Sequence, residues 1–280
     1  MNRFSLSRLE RHLPLILLSL TGLVLLPSIR WMVRETATHS QLLHGFLVFL
    51  LTLGLIFWHH KKDLPWHCQL GKNSLNALFL TYGLLLVAVL ADLNFLILPA
   101  LACACAALLY FLFGPAQHRL ILSSVLCLLV FMSFVLLLPL LDWPLRSVAG
   151  NISARGLALL GQEIRLGLIS GRQEPLLILL SGGRPFHVAP ECNGFGMLLS
   201  SLLMTCMLVF HAARSLPLAL VAIPLALLFG LLVNGLRIII IVLLAPHVGD
   251  AQYVLMHEAV GLATTYGGLG LLYLGWIRLL

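Results

Sequence analysis

The chain has 280 residues, 60% of them hydrophobic and 10% charged, with a mean hydropathy of +1.04. Soluble domains carry roughly a quarter of their residues as Asp, Glu, Lys or Arg, so this composition excludes a water-soluble enzyme or binding module and reads as an all-α polytopic membrane protein. The formal charge of +7 comes from basic residues scattered between apolar runs; they make no stripe for nucleic acid, and the expected partner is the lipid bilayer.

A bilayer-crossing helix takes about 20 mostly apolar residues. The first such run, 13–31, follows a basic start in "MNRFSLSRLERHLPLILLSLTGLVLLPSIRW". No small-x-small cleavage site stands near its end, so a retained first span is expected rather than a removed signal peptide. Runs at 42–58, 75–91, 93–113 and 119–141 complete five spans within 13–141, the third and fourth separated only by "ADLN". Segment 142–194 is the one sizeable piece outside the spans. Its mixed stretch 145–169 reads as a weakly amphipathic interfacial helix, and "EPLLILLSGGRPFHVAP" as a short β-hairpin around a Ser-Gly-Gly turn. Three more spans follow in 195–279, at 195–211, 217–245 and 258–279. The run 217–245 is long and contains Asn234–Gly235, where tilt or a local break is expected. The expectation is about eight transmembrane helices in a single integral membrane domain, 1–280, without internal repeats.

Orientation follows from basic residues in short loops. With the N-terminus inside, cytoplasmic segments hold Arg3, Arg8, Arg11, Lys61, Lys62, Lys72, Arg119, Arg214 and Arg278, against Arg30 and Arg34 outside. Both termini are then cytoplasmic and 142–194 faces outward.

On this topology Cys103, Cys105, Cys127 and Cys206 lie inside spans and Cys68 in a cytoplasmic loop, which leaves Cys192 with no second cysteine on the outer side. It sits at the N-terminal mouth of the sixth span, where a helix dipole and unpaired N–H groups favour a thiolate and can hold an oxyanion. The bland reading makes Glu191 or Asn193 a helix cap and Gly194 a packing residue. Arg237, in "LLVNGLRIIIIVLLA", lies about eight residues or 12 Å inside the outer end of span seven, with Asn234 one turn earlier on the same face. Four isoleucines and "VLLA" separate it from water, which argues for a polar interior over snorkelling to the headgroups. His257 opens the last span at its outer, N-terminal end, which favours the neutral, proton-accepting imidazole. Glu258 is either an orienting partner or a helix-start carboxylate. A thiol, a base and a cation converge on one face: the parts of covalent acyl transfer. Neither a metal nor another cofactor is expected.

The ordered set "ECNG" (Glu191–Gly194), "NGLRI" (Asn234–Ile238) and the histidine opening the last span resembles the exosortase/archaeosortase family of integral membrane cysteine transpeptidases. "LLHGFLVFLLTLGLIFW" at 42–58 is similar to the family's "SHGFL" segment, with Leu43 in place of serine, and Asn193 stands where serine is frequent. The resemblance implies Cys192 as nucleophile, His257 as base or acid and Arg237 as stabiliser of oxyanion or thiolate, with His44 helping to shape the site. It implies substrates that are secreted proteins with a C-terminal PEP-CTERM-like sorting tail, an acyl acceptor of unknown identity at the cell surface, exopolysaccharide synthesis nearby and an inner-membrane location. Arg184 in the hairpin either meets an acidic tail motif or is a solvated turn charge. The rival readings are a small-anion transporter holding its cargo on Arg237 at a broken helix, and a polysaccharide-related assembly factor in which the cysteine is incidental.

Overall fold

A computed structural model describes residues 3–59, 66–170, 175–189, 192–212 and 216–279. It contains helices α1 (Arg3–Thr38), α2 (Ser40–His59), α3 (Lys72–Leu90), α4 (Ile97–Phe113), α5 (His118–Leu159), α6 (Phe195–His211), α7 (Leu216–Leu244) and α8 (Asp250–Leu279), and strands β1 (Ile164–Ser170), β2 (Pro175–Ser181) and β3 (Arg184–His187). Among the described residues, seven helical stretches are long and apolar enough to cross a membrane, and α6 is a shorter apolar helix. Each of the eight apolar runs read from the sequence lies on one of the eight helices, and the protein is a multi-pass membrane protein. Of the basic residues used for orientation, Lys61, Lys62 and Arg214 lie outside the described residues.

Two stretches differ from expectation. The segment 145–159 is helical, but as a continuation of α5, which runs unbroken through Pro139 and Pro144 for 42 residues, about 63 Å at 1.5 Å per residue. Tertiary packing holds its far end: Ala149 and Leu157 are buried in a cluster with Leu177, Leu179, Val188, Cys192, Ile238 and Val242. Residues 164–169, expected to finish an interfacial helix, form β1 instead. Ile164 and Leu166 alternate toward the same cluster, the period-2 pattern of a half-buried strand.

The sheet is antiparallel in the order β1-β2-β3, with Leu166 opposite Leu179 and Leu179 opposite Phe186. The expected hairpin is β2–β3. Gly182 and Gly183, at φ +55° and +78°, provide the two left-handed residues that a tight two-residue hairpin turn takes.

The chain forms two compact units, Met1–Thr38 with Leu50–Val135, and His39–Phe49 with Leu136–Leu280. In the first, Leu25, Leu98, Leu101 and Met132 form a buried cluster, and Thr21 bonds Tyr82 through their hydroxyls at 2.9 Å. The second is built around α6, whose side chains are buried almost all round, as suits a helix apolar on every face. Ser201 Oγ donates to the Ala226 carbonyl of α7 at 2.9 Å, and Trp276 Nε1 of α8 donates to Thr205 Oγ1 at 2.9 Å. These bonds fix the faces that α7 and α8 present at the head of α6. No break occurs in α7 at Asn234–Gly235; a Cβ on Gly235 would lie 2.6 Å from Ile152 Cγ2, so this glycine serves the close approach of α5.

Candidate active site

The sheet delivers the cysteine. After β3, Val188 N donates to the Leu177 carbonyl at 2.9 Å and Cys192 N to the Ala189 carbonyl at 2.9 Å. Glu191 lies outside the described residues. Cys192 is 7% exposed, held three residues before α6 begins.

Its neighbours are fixed on both sides. Asn193 Oδ1 accepts the Phe195 N–H at 2.8 Å, satisfying one donor at the start of α6, while its Nδ2 donates to Asp142 Oδ1 at 2.6 Å. The other Asp142 oxygen is paired with Arg146 one turn along α5. Gly194 has φ +85°, and a Cβ there would lie 2.8 Å from Asn234 Nδ2. That nitrogen donates to the Cys192 carbonyl at 3.0 Å. Asn234, read from the sequence as a companion of Arg237, thus holds the backbone of the cysteine itself. Asn193 acts as a cap and as a bridge to α5.

α8 begins at Asp250, so His257 does not open the last helix as expected but lies two turns inside it, beyond the first-turn reach of the dipole. His257 Nε2 is 3.6 Å from Cys192 Sγ, within hydrogen-bonding reach for sulfur. Tyr253 lies one turn earlier, its ring centroid 6.2 Å from the imidazole. Arg237 follows Asn234 by one turn of α7, and a Cβ on Gly261 of α8 would lie 2.9 Å from its Nη2; the guanidinium occupies the space that this glycine leaves open.

Two voids meet at the imidazole. A cavity of about 470 Å³ is lined by His257, Arg237, Asn234, His44, Gln41 and Glu258 among others. The thiol lines a smaller cleft of about 30 Å³ with Tyr253, Phe186, Leu179 and Ile238. His257 is the one residue common to both. The structure therefore brings Cys192 directly to His257, and places Arg237 on the wall of the cavity that His257 also lines. His44 Nδ1 is 2.6 Å from the Ser40 carbonyl oxygen; a carbonyl only accepts, so this nitrogen carries the proton. Glu258 is exposed on the cavity wall, and Arg184 is exposed at the start of β3. Among the described residues no group of three or more His, Cys, Asp or Glu side chains could hold a metal ion.

Sequence reasoning passed over Asp142, Arg146, Tyr253 and Gln41. A signal existed for the first two: a carboxylate closing the apolar run 119–141, with an arginine four residues later, is a helical ion pair.

Fold and site define a multi-pass membrane protein with a thiol at the mouth of α6, an imidazole two turns into α8 within reach of it, and an arginine on the wall of the cavity that the imidazole lines. The family model described as transmembrane exosortase (Exosortase EpsH) matches residues 10–274, and the chain belongs to that family. Membership places it among peptidases and implies a role in processing PEP-CTERM proteins. No curated protein and no solved structure matches the chain.

Proposed function

We propose that this protein is a membrane-embedded cysteine peptidase and transpeptidase. It cleaves the C-terminal sorting tail of secreted proteins at the outer face of the inner membrane and transfers the acyl group to a cell-surface acceptor. The observation that carries the reading is the 3.6 Å separation of Cys192 Sγ and His257 Nε2.

In this reading His257 takes the thiol proton and the thiolate attacks the scissile carbonyl carbon. Arg237, on the wall of the larger cavity, stabilises the oxygen of the tetrahedral intermediate as it becomes negative. His257 returns the proton to the leaving amine, which departs with the tail, and a thioester remains on Cys192. An acceptor nucleophile then attacks the thioester carbon, gives its proton to His257 and releases the thiolate. The basic-loop asymmetry supports cytoplasmic termini and an outward-facing site, level with the cut that a tail spanning the same bilayer would present. The transporter reading loses its support because α7 runs unbroken through Asn234–Gly235, whereas that reading places its anion at a broken helix.

The test uses the full-length protein in liposomes with a secreted reporter carrying a PEP-CTERM-type tail. Cys192→Ala is expected to lower cleavage by at least about 10³-fold without loss of the protein from the membrane. Mass spectrometry of the wild type is expected to find the reporter's acyl group on Cys192. Undiminished processing by Cys192→Ala sinks the mechanism.

A further inference from the structure

We propose that Asp142 and Arg146 of α5 are positioning residues for the nucleophile, acting through the side-chain amide of Asn193. The inference rests on Cys192 being that nucleophile.

Asn193 is fully buried and its side chain has two partners of opposite kind. Its oxygen accepts the Phe195 N–H at 2.8 Å and its nitrogen donates to Asp142 Oδ1 at 2.6 Å. The amide therefore has one allowed orientation, and the bond to Asp142 joins the residue next to Cys192 to a helix 51 positions earlier in the chain. The carboxylate is in turn oriented by Arg146, 5% exposed, through its other oxygen. Arg146, Asp142 and Asn193 form a chain of bonds ending one peptide away from the sulfur.

A charged pair largely withdrawn from water gains little stability of its own, because desolvation offsets the attraction. An i,i+4 pair on a helix stabilises it only slightly. What this pair does beyond that is point a fixed acceptor at the amide that sets the Cys192–Gly194 turn. Asn234 holds the same turn from the opposite side through the Cys192 carbonyl, so the turn is clamped between α5 and α7. The thiol-to-imidazole distance of 3.6 Å is within reach for sulfur, and a displacement of about 1 Å, enough to break that contact, can cost 10²-fold in rate.

The arrangement makes a reciprocal exchange informative. In Asp142→Asn, an amide faces both the Asn193 amide and the Arg146 guanidinium, and one of its two contacts must set donor against donor. In Asn193→Asp, two carboxylates meet where 2.6 Å now separates nitrogen from oxygen. In the double variant Asp142→Asn/Asn193→Asp every bond has a donor and an acceptor again. The carboxylate now at position 193 would accept from Phe195 N and from the new amide at position 142, whose oxygen accepts from Arg146.

The experiment measures cleavage of the tailed reporter, acyl-enzyme formation on Cys192 and thermal unfolding for the wild type, both single variants, the double variant and Cys192→Ala, all as full-length protein in liposomes. Each single variant is expected to lose about 10- to 100-fold in kcat, with KM within about threefold of the wild type and acyl-enzyme formation slowed equally. The double variant is expected to recover to within about threefold of the wild type. Singles that cleave like the wild type, or a correctly inserted double variant as poor as the worse single, overturn the positioning role while leaving Cys192 in place. Singles that do not fold do not end the test, since the double variant's turnover still decides it; a double variant that itself fails to fold also counts against the exchange. Full activity of Cys192→Ala would instead strike the nucleophile reading, and this inference with it.

Discussion

The Arg237 guanidinium occupies space that Gly261 leaves open. The guanidinium lies against Gly261 so closely that a single methyl group would meet Nη2 at 2.9 Å. Gly261→Ala must therefore push the cation aside without removing it. If Arg237 stabilises the developing oxyanion, kcat should fall by about 10- to 100-fold, a part of the 10²–10³ that loss of an oxyanion donor costs, with insertion and thermal stability close to the wild type. Wild-type turnover by that variant would detach Arg237 from the chemistry. Cys192, Arg237 and His257 stand out in the sequence as candidates because each is out of place in its surroundings: a thiol at a helix mouth, a cation among isoleucines, an imidazole at the edge of the last apolar run. Asp142 does not. A carboxylate at the end of an apolar run reads as an interfacial residue, and the amide that gives it a purpose is 51 positions away.

Among the elements, the three-stranded sheet has the largest influence for its size. Leu179 of β2 is fully buried and shares a cluster with Val188 and Cys192. Leu179→Ala should destabilise the protein by about 2–5 kcal/mol, seen as a lower thermal midpoint. Alkylation of Cys192 by a small reagent should become faster, because the same side chain lines the sulfur's cleft. Unchanged alkylation would mean that the sheet shields the thiol less than this packing implies. The hairpin itself was readable from its Ser-Gly-Gly turn. The strand before it, β1, was not, because "IRLGLIS" is too short and too ambiguous between helix and strand until β2 is there to pair with it. The extension of α5 escaped for a related reason: proline normally ends or kinks a helix, and the contacts that carry α5 past Pro139 and Pro144 are tertiary.

For the whole molecule, the span count was legible because bilayer thickness imposes a length on every crossing element. Side chains such as Phe79, at 83% exposure, Val89 at 78% and Leu90 at 77% make sense only against lipid. Orientation is a separate matter that loop charges address. With Cys68 exposed and Arg184 at the hairpin turn, a membrane-impermeant maleimide applied to intact cells should label Arg184→Cys at once and reach Cys68 only after the membrane that holds the protein is permeabilised. The reverse pattern would turn the proposed topology over. One bond bears on how such a site can move. Asn234 Nδ2 grips the carbonyl of Cys192 at 3.0 Å, and Arg237 rides on the same rigid helix one turn away. A shift of α7 that keeps this bond moves the Cys192 backbone and the guanidinium together, as two points on one lever, so under the proposed mechanism a motion that admits a long tail can open the site while thiol and cation stay in step.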